Sequence, residues 1–272
     1  MLCLGITPQY GLPPEEQIRL LSRVGFDGFF AYWTPGLDLS LLRRTADETG
    51  MLFQSIHAPH LKVRSLWHED AETPAALAEL QACLRSCAAN GVPIMVTHAF
   101  IGFEDHTPTQ EGIERFRLLV DEAEQLGVKI ALENTEGEEY LAALLEAFAD
   151  RPHVGFCWDS GHELCYNLHD MLALYGGRLM ATHLNDNLGV SSPEGKIIWT
   201  DDLHLLPFDG IADWADMAAR LKRFGFTDCL TFELKIQSLP GRTENDVYAR
   251  MKLEDYLTLA LERARRVAAL QA

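Results

Sequence analysis

Short apolar segments with β-strand character alternate with longer segments of helical period along the whole chain. The predicted strands cover about residues 2–6, 28–32, 52–57, 93–98, 128–133, 154–158, 179–184 and 229–234. Helices are predicted after them, at residues 13–24, 39–49, 73–90, 110–126, 138–149, 163–175, 211–224 and 244–270. Pro14 opens the first helix, and Gly25, Gly50 and Gly127 follow helix ends, as helix start and stop signals do. This order of strands and helices indicates one parallel sheet with helices packed against it.

The number of strand–helix repeats favours a closed barrel, a single (β/α)8 TIM barrel. The chain has 272 residues and is 47% hydrophobic, which suffices for one barrel-sized domain over residues 1–272. A doubly wound open sheet is the alternative, but no G-x-G-x-x-G follows the first strand. Residues 187–210 form the longest segment without an evident helix, and loops of that length are usually functional.

Composition and charge limit the partners and the location that we expect. No run of about 18 apolar residues predicts a membrane helix, and residues 1–6 fit a first strand better than a signal peptide. The six cysteines show no C-x-x-C pair, which favours free thiols in a reducing cytoplasm. The net charge of −17 argues against nucleic acid as a partner, because binding a phosphate backbone requires a surface of Lys and Arg.

Four predicted strands end in side chains that bind metals. Glu133, Asp159, His183 and Glu233 stand at or just after the ends of the fifth to eighth strands. Charged side chains are rarely buried unless they are paired or ligated, and the carboxyl ends of barrel strands meet at one face. The pattern therefore predicts one metal centre. Three carboxylates and one imidazole suit Mn²⁺, Mg²⁺ or Co²⁺, with Zn²⁺ also compatible, and no organic cofactor is expected.

The predicted centre favours proton-transfer chemistry. A divalent ion polarises a carbonyl or hydroxyl group, and carboxylates beside it can move protons. Glu133 and Glu233 would act as acid and base on opposite faces of a substrate carbon. That arrangement serves an enediolate reaction, in which one group removes a proton and the same or another group returns it.

Further residues are predicted to bind substrate, orient ligands or hold a second metal. The polar ones are His57, His98, His162, Asp202, His204 and Lys235, the last as a partner for an anion. Trp33 and Trp158 are predicted to form aromatic walls of the pocket. The other histidines are expected to be surface or loop residues, and they are His60, His68, His106, His153 and His169.

Taken in order, these motifs resemble the xylose isomerase-like TIM-barrel superfamily. That superfamily includes sugar epimerases, inosose-type isomerases and dehydratases, hydroxypyruvate isomerases and the endonuclease IV group. The likeness runs from the Gly25-Phe-Asp-Gly28 turn to Glu233 in "TFEL", through "ALEN", "WDSGH" and "THLND". It implies that the four strand-end residues hold the metal and that His162 contacts substrate oxygens. Members often form dimers or tetramers, so a homo-oligomer is one expected state.

The resemblance implies a metal-dependent isomerase or epimerase of a sugar, sugar phosphate or related polyol or keto acid. The second strand, ending in Trp33, lacks the acidic residue of many members. The stretch from Leu184 to Gly189 lacks the arginine of ketose 3-epimerases, which argues against that activity in particular.

Three alternatives stay open. An endonuclease IV-like zinc phosphodiesterase acting on abasic DNA would use five matching residues, but the negative charge and the absence of Lys/Arg-rich loops oppose it. Those residues are His57, His98, His162, Asp202 and His204. An inosose-type dehydratase shares the first proton abstraction. A non-catalytic metal-binding barrel is the third alternative, and the intact ligand set speaks against it.

Overall fold

Parallel strands form the centre of the molecule. The computed structural model describes residues 1–104 and 107–271, and within them eight strands occur. They are β1 Leu2–Ile6, β2 Gly28–Tyr32, β3 Leu52–His57, β4 Ile94–His98, β5 Lys129–Glu133, β6 Val154–Asp159, β7 Leu179–His183 and β8 Leu230–Phe232. The sheet order is β7-β6-β5-β4-β3-β2-β1-β8, so each strand lies beside its neighbours in sequence and β1 also pairs with β8.

The backbone of Leu184 joins the two end strands, β7 and β8. Its N–H donates to the carbonyl oxygen of Thr231 at 2.8 Å, and its carbonyl oxygen accepts from the N–H of Glu233 at 3.1 Å. These bonds bring the first and last strands of the sheet order together around one axis. The predicted (β/α)8 TIM barrel is confirmed, and the open doubly wound sheet is wrong.

Helices cover the outside of the barrel. They are α1 Pro14–Val24, α2 Leu39–Thr49, α3 Thr73–Ala89, α4 Gln110–Leu126, α5 Glu138–Ala147, α6 Ser160–Cys165, α7 Met171–Tyr175, α8 Trp214–Arg223 and α9 Leu253–Gln271. Gly25, Gly50 and Gly127 end α1, α2 and α4 with left-handed backbone, which glycine adopts without steric cost. Within residues 1–104 and 107–271, no helix is both long and apolar enough to cross a membrane.

One predicted helix, over residues 163–175, is divided into α6 and α7. Asn167 leaves the helix because its side chain bonds elsewhere, accepting from Asn134 Nδ2 at 2.8 Å and donating to the carbonyl oxygen of Thr135 at 2.9 Å. Asp170 then caps α7 by accepting from the N–H of Ala173 at 2.8 Å. Tertiary hydrogen bonds therefore outweigh the local helical pattern.

The last helix begins at Leu253 rather than near residue 244. The preceding segment is bonded to other loops through Asn245. Its N–H donates to Ser238 Oγ at 2.9 Å, and its Nδ2 donates to the carbonyl oxygen of Leu203 at 3.4 Å. These contacts fix the segment as a loop beside the barrel mouth.

Strand alternation decides which side chains face the barrel interior. An apolar layer inside the barrel is formed by Val96, Ala131, Cys157 and Ala181. The residues two positions later on the same strands are His98, Glu133, Asp159 and His183. Because residues i and i+2 of a strand share one face, the polar set stands directly above the apolar one, at the carboxyl end of the barrel.

Phe30 closes the interior beneath His183. Its buried ring stacks on the imidazole with the ring centroids 4.6 Å apart. A Cβ atom at Gly5 would lie 2.6 Å from the Phe30 ring. The absence of a side chain at residue 5 therefore leaves the space that Phe30 fills.

The connection between β7 and α8 folds over the carboxyl end of the barrel. Asp186, which is fully buried, accepts hydrogen bonds from Phe208 N–H at 2.9 Å, Ala212 N–H at 3.0 Å and Trp214 Nε1 at 2.9 Å. The segment held by Asp186 places His204 at the barrel mouth. The backbone φ of His204 is 47°. A non-glycine residue in that region costs free energy, so the surrounding loop holds His204 firmly.

Candidate metal centre

Four side chains meet at the carboxyl end of the barrel. Glu133, Asp159 and His183 end β5, β6 and β7, and Glu233 directly follows β8. Each offers one ligand atom, and these atoms all lie within 4.8 Å of one another. The first three side chains are fully buried, and Glu233 is 7% exposed. The structure thus brings together all four residues predicted to form the centre.

His183 lies between the two glutamates. Its Nδ1 is 2.8 Å from Oε1 of Glu133 and 2.8 Å from Oε2 of Glu233. Oε2 of Glu133 and Oε2 of Glu233 are buried and accept no hydrogen bond from the described residues. Buried carboxylate oxygens without partners are costly, so a cation among these oxygens would satisfy them.

Asp159 is held by asparagines that the sequence analysis did not single out. Asn185 Nδ2 donates to Oδ1 and Oδ2 of Asp159, at 3.1 and 3.0 Å. Asn134 bonds the backbone of Asp159 on both sides, at 2.8 Å each. A Cβ atom at Gly161 would overlap Oδ1 of Asn185, so a larger residue there would displace Asn185. The position of both asparagines next to ligands, in "EN" and "HLN", is the sequence signal that could have found them.

The electrostatics of the four residues favour added positive charge. Burial raises the pKa of Asp159 to about 6. Burial acts the same way on Glu133 and Glu233, but the nearby His183 outweighs it and lowers the pKa of both carboxyls. Burial would lower the pKa of His183, yet Cys157 and the two glutamates hold it well above its ordinary value. Three carboxylates and an imidazole in this setting fit a divalent cation.

Two predicted histidines approach Glu133 from β3 and β4. Nε2 of His57 lies 3.3 Å and Nε2 of His98 lies 3.4 Å from Oε2 of Glu133. Nδ1 of His57 donates to the carbonyl oxygen of Ala58 at 2.8 Å, which leaves Nε2 of a neutral ring as a lone-pair donor. Glu133 therefore has imidazole nitrogens near both of its oxygens: that of His183 near Oε1, and those of His57 and His98 near Oε2.

His60 also belongs to this region, although it was expected to be a surface or loop residue. Its ring stacks on His98 with the centroids 4.6 Å apart, and its ligand atoms lie close to those of His57 and His98. Burial, assisted by the other two imidazoles, lowers the pKa of His60 to about 2. The tertiary fold of the β3–α3 connection brings it in, which its sequence position did not reveal.

A third group lies on the other side of the centre and contains His162, Asp202 and His204. Oδ1 of Asp202 is 3.5 Å from Nε2 of His162, and Oδ2 is 2.7 Å from Nε2 of His204. Nζ of Lys235 is 3.3 Å from Oδ2 of Asp202. Burial would raise the pKa of Asp202, but His204 and Lys235 outweigh it and lower it well below the ordinary range.

The aromatic wall differs from the expected one. Trp33 packs in the apolar core, and the fully buried Trp158 donates from Nε1 to Glu163 at 2.9 Å on the outer side of β6. Tyr32 instead enters the site, and its hydroxyl donates to Oε1 of Glu233 at 2.5 Å. The structure thus places neither tryptophan in the cavity lining and adds a tyrosine that the sequence analysis missed.

A cavity of about 380 Å³ opens onto these groups. Thr7, Pro8 and Gln9 of the β1–α1 loop line one side. Lys235 is the only Lys or Arg among the described residues that line it. Most residues that line it carry polar side chains, and its volume lies in the range of small-molecule sites. Of the other histidines, His68 and His169 are exposed and His153 is half-buried, while His106 lies outside the described residues.

A model of the xylose isomerase-like TIM barrel matches residues 18–253. The chain belongs to this family. The resemblance inferred from the strand-end motifs is therefore confirmed. A curated relative, the uncharacterized protein y4fM of Sinorhizobium fredii (strain NBRC 101917 / NGR234), is 26% identical over 299 residues, covering 92% of this chain and 91% of the relative.

Several solved structures have a similar fold at low sequence identity. The IolI protein with a bound zinc atom has a TM-score of 0.77 and 19% identity, covering 98% of both chains. A D-psicose 3-epimerase, determined in the presence of D-fructose, has a TM-score of 0.71 and 17% identity over 99% of both chains. Another, from Clostridium cellulolyticum H10 with D-tagatose, has a TM-score of 0.72 and 15% identity over 97% of this chain and 98% of that one. At these identities the similarity establishes the fold.

Proposed function

We propose that the chain is a divalent-metal-dependent isomerase or epimerase of a small carbohydrate-like substrate. Sugars, sugar phosphates and related polyols or keto acids form the proposed substrate class. The observation that carries the proposal is the approach of Glu133 and Glu233 to His183 from β5 and β8, each at 2.8 Å. The family, and the epimerase names of two structural neighbours, support it.

Glu133, Asp159, His183 and Glu233 would hold the ion, which is Mn²⁺, Co²⁺, Mg²⁺ or Zn²⁺. When bound, the ion supplies polarisation of a substrate carbonyl or hydroxyl group and so stabilises developing negative charge. The side chains then do the proton transfer. Asn185 and Asn134 hold Asp159 in place, and the two glutamates would face the substrate carbon.

Glu133 and Glu233 are the proposed acid–base pair. One carboxylate removes the proton from the carbon next to the carbonyl, and the C–H electron pair becomes the carbon–carbon double bond of an enediolate. The carbonyl electron pair moves onto its oxygen. Return of a proton to the same carbon from the opposite face restores that carbonyl and gives the epimer. Return of a proton to the neighbouring carbon, with transfer of the hydroxyl proton of the first carbon to the former carbonyl oxygen, gives the isomer. The glutamates reach the centre from different strands, β5 and β8, so both outcomes are chemically available.

The surrounding groups are proposed to orient the substrate. His57, His98 and His162 line the cavity, as do Asp202 and His204. Lys235 would bind an anionic or hydroxyl group of the substrate.

The location and the assembly are also part of the proposal. The six buried free cysteines suit a reducing compartment, so the cytoplasm is the proposed location. A homo-oligomer is the proposed assembly.

Metal content is the first test. Protein purified without chelators or a polyhistidine tag is expected to carry about one Mn, Co, Mg or Zn per chain by elemental mass spectrometry. Failure to bind metal, even after incubation with Mn²⁺ or Co²⁺, would contradict the proposed centre.

The catalytic role is tested by Glu233→Gln. With the metal retained, turnover on a panel of sugars and sugar phosphates should fall about a hundredfold or more, because the variant loses its proton-transferring carboxylate. The matched control is Glu114→Gln on the exposed side of α4, which should leave turnover unchanged. Normal turnover in Glu233→Gln would contradict the acid–base assignment.

A metal-dependent phosphodiesterase is the second candidate function. The specific observation in its favour is that His57, His98 and Glu133 on one side, and His162, Asp202 and His204 on the other, form ligand groups beside the main centre. Such an arrangement suits several ions that act on one phosphodiester. The net charge of −17 and a cavity lined by one lysine among the described residues oppose a DNA substrate.

The two candidates are separated by stoichiometry and substrate. Close to three zinc ions per chain, with cleavage of abasic-site DNA at low enzyme concentration, would favour the phosphodiesterase. About one ion and conversion of a sugar without mass change would favour the isomerase or epimerase. Formation of a product that has lost water would instead indicate an inosose-type dehydratase.

A further inference from the structure

Tyr32 contacts the candidate centre through one hydrogen bond. It is the last residue of β2 and shares the inward face of that strand with Phe30, two positions earlier. Its hydroxyl donates to Oε1 of Glu233 at 2.5 Å, across 201 positions of sequence. A bond this short to an ionised carboxylate belongs to the strong class of hydrogen bonds.

The ring of Tyr32 is held from two sides. Its centroid lies 5.3 Å from that of Phe30, and 5.3 Å from that of His57. Phe30 is itself fixed by its stacking on His183. The hydroxyl group is therefore presented to Glu233 from a rigid support rather than from a mobile side chain.

The two oxygens of Glu233 have different surroundings as a result. Oε1 accepts from Tyr32, whereas Oε2 points to the ligand cluster, 2.8 Å from Nδ1 of His183. Nδ1 of His183 hydrogen-bonds to Oε1 of Glu133, and one ring N–H supplies one proton. Oε2 of Glu233 is thus left without a hydrogen bond from the described residues.

We propose that Tyr32 is a positioning residue that selects Oε2 of Glu233 as the oxygen that binds the metal. This inference rests on the proposed metal-dependent function. By holding Oε1, the hydroxyl fixes the rotation of the carboxylate and directs its second oxygen toward His183. Groups that orient metal-binding carboxylates contribute to metal affinity as well as to geometry.

Packing alone does not account for a tyrosine here. Phenylalanine would fill the same space and would keep the contacts with Phe30 and His57. A partly buried hydroxyl costs free energy unless it is hydrogen-bonded, and Glu233 is the partner that the structure gives it. The Tyr32 hydroxyl is therefore expected to act through its hydrogen bond to the Glu233 carboxylate.

Tyr32→Phe tests the proposal with Co²⁺ as the probe. Metal affinity is measured by competition with a chromophoric chelator, and coordination geometry by the visible absorption of bound Co²⁺. Because second-layer partners of metal ligands typically contribute 10–100-fold to affinity, we expect about tenfold weaker Co²⁺ binding or more. The absorption spectrum should also change, which a purely structural role would not cause.

Tyr256→Phe is the matched control. The Tyr256 hydroxyl is buried without a hydrogen-bond partner among the described residues, so its removal should leave Co²⁺ affinity and spectrum unchanged. A double variant adds a second measurement, because Tyr32→Phe should have little further effect once Glu233→Gln is present.

The outcomes separate this inference from the proposed function. Wild-type Co²⁺ binding with an unchanged affinity and spectrum in Tyr32→Phe would overturn the inference and leave the metal-dependent function standing. A full effect of Tyr32→Phe in the Glu233→Gln background would also overturn it, since Tyr32 would then act by another route. A wild-type protein that binds no metal would overturn both.

Discussion

The orientation of the predicted metal ligands depends on individual hydrogen bonds and on one glycine. Asp159 depends on Asn185, which spans both carboxylate oxygens, and Asn185 depends on the missing side chain of Gly161. Glu233 depends in the same way on the hydroxyl of Tyr32. Both Asp159 and Glu233 thus rely on residues outside the proposed ligand set.

Gly161→Ala should disturb Asp159 through Asn185. The added methyl group overlaps Oδ1 of Asn185, and overpacking of this kind typically costs about 1–3 kcal/mol in the free energy of unfolding. Urea unfolding would measure that loss, and Co²⁺ titration should show weaker binding. Gly177→Ala is the control, because a Cβ atom there meets nothing within 4 Å. Equal stability of the two variants would contradict the argument.

At the level of elements, the β7–α8 connection depends on one buried carboxylate. Asp186 accepts from Phe208, Ala212 and Trp214, and it pairs through its backbone with Leu205. Arg242 adds a second attachment through Asp201, at 3.3 Å. The loop is therefore an ordered part of the site rather than a loose cover.

Asp186→Asn should loosen this connection. Asparagine presents an N–H₂ group where an acceptor is needed, so at least one charged hydrogen bond is lost, at a cost of about 2 kcal/mol in the free energy of unfolding. Amide hydrogen exchange should accelerate between residues 187 and 213. Asp216→Asn, on the exposed side of α8, is the control and should exchange as the wild type does. Unchanged protection in Asp186→Asn would show that the loop is held by other contacts.

Much of this organisation could be predicted from sequence, and the failures have physical causes. Strand positions and the four ligands follow from local patterns at the ends of apolar segments. Tyr32 was missed because β2 is apolar on both faces, so alternation does not tell which face is inward. The break at Asn167 arises from bonds to Asn134 and Thr135, which are remote in sequence.

For the whole molecule, the proposed metal centre would couple ion binding to folding. Repulsion among Glu133, Asp159 and Glu233 is offset in part by His183, and a divalent cation would offset it further. An ion that binds the folded state alone stabilises it, by about 4 kcal/mol at a thousand times its Kd. The stability of the protein should therefore depend on the metal present in solution.

Chelator treatment should lower Tm, and added Mn²⁺ or Co²⁺ should restore it, as measured by scanning calorimetry. The metal-dependent rise in Tm should be smaller in Glu233→Gln, because the site has lost one ligand charge. A Tm that is independent of metal in the wild type would contradict a site that binds only the folded chain.

The position of Phe30 has a kinetic consequence. Its ring fills the barrel beneath His183, and the cavity that reaches the site opens at the carboxyl end. In the proposed enzyme, substrate entry and product release would share this opening, and a product would have to leave before the next substrate could bind. Product release and substrate entry would therefore compete for the same path, and slow release would limit turnover.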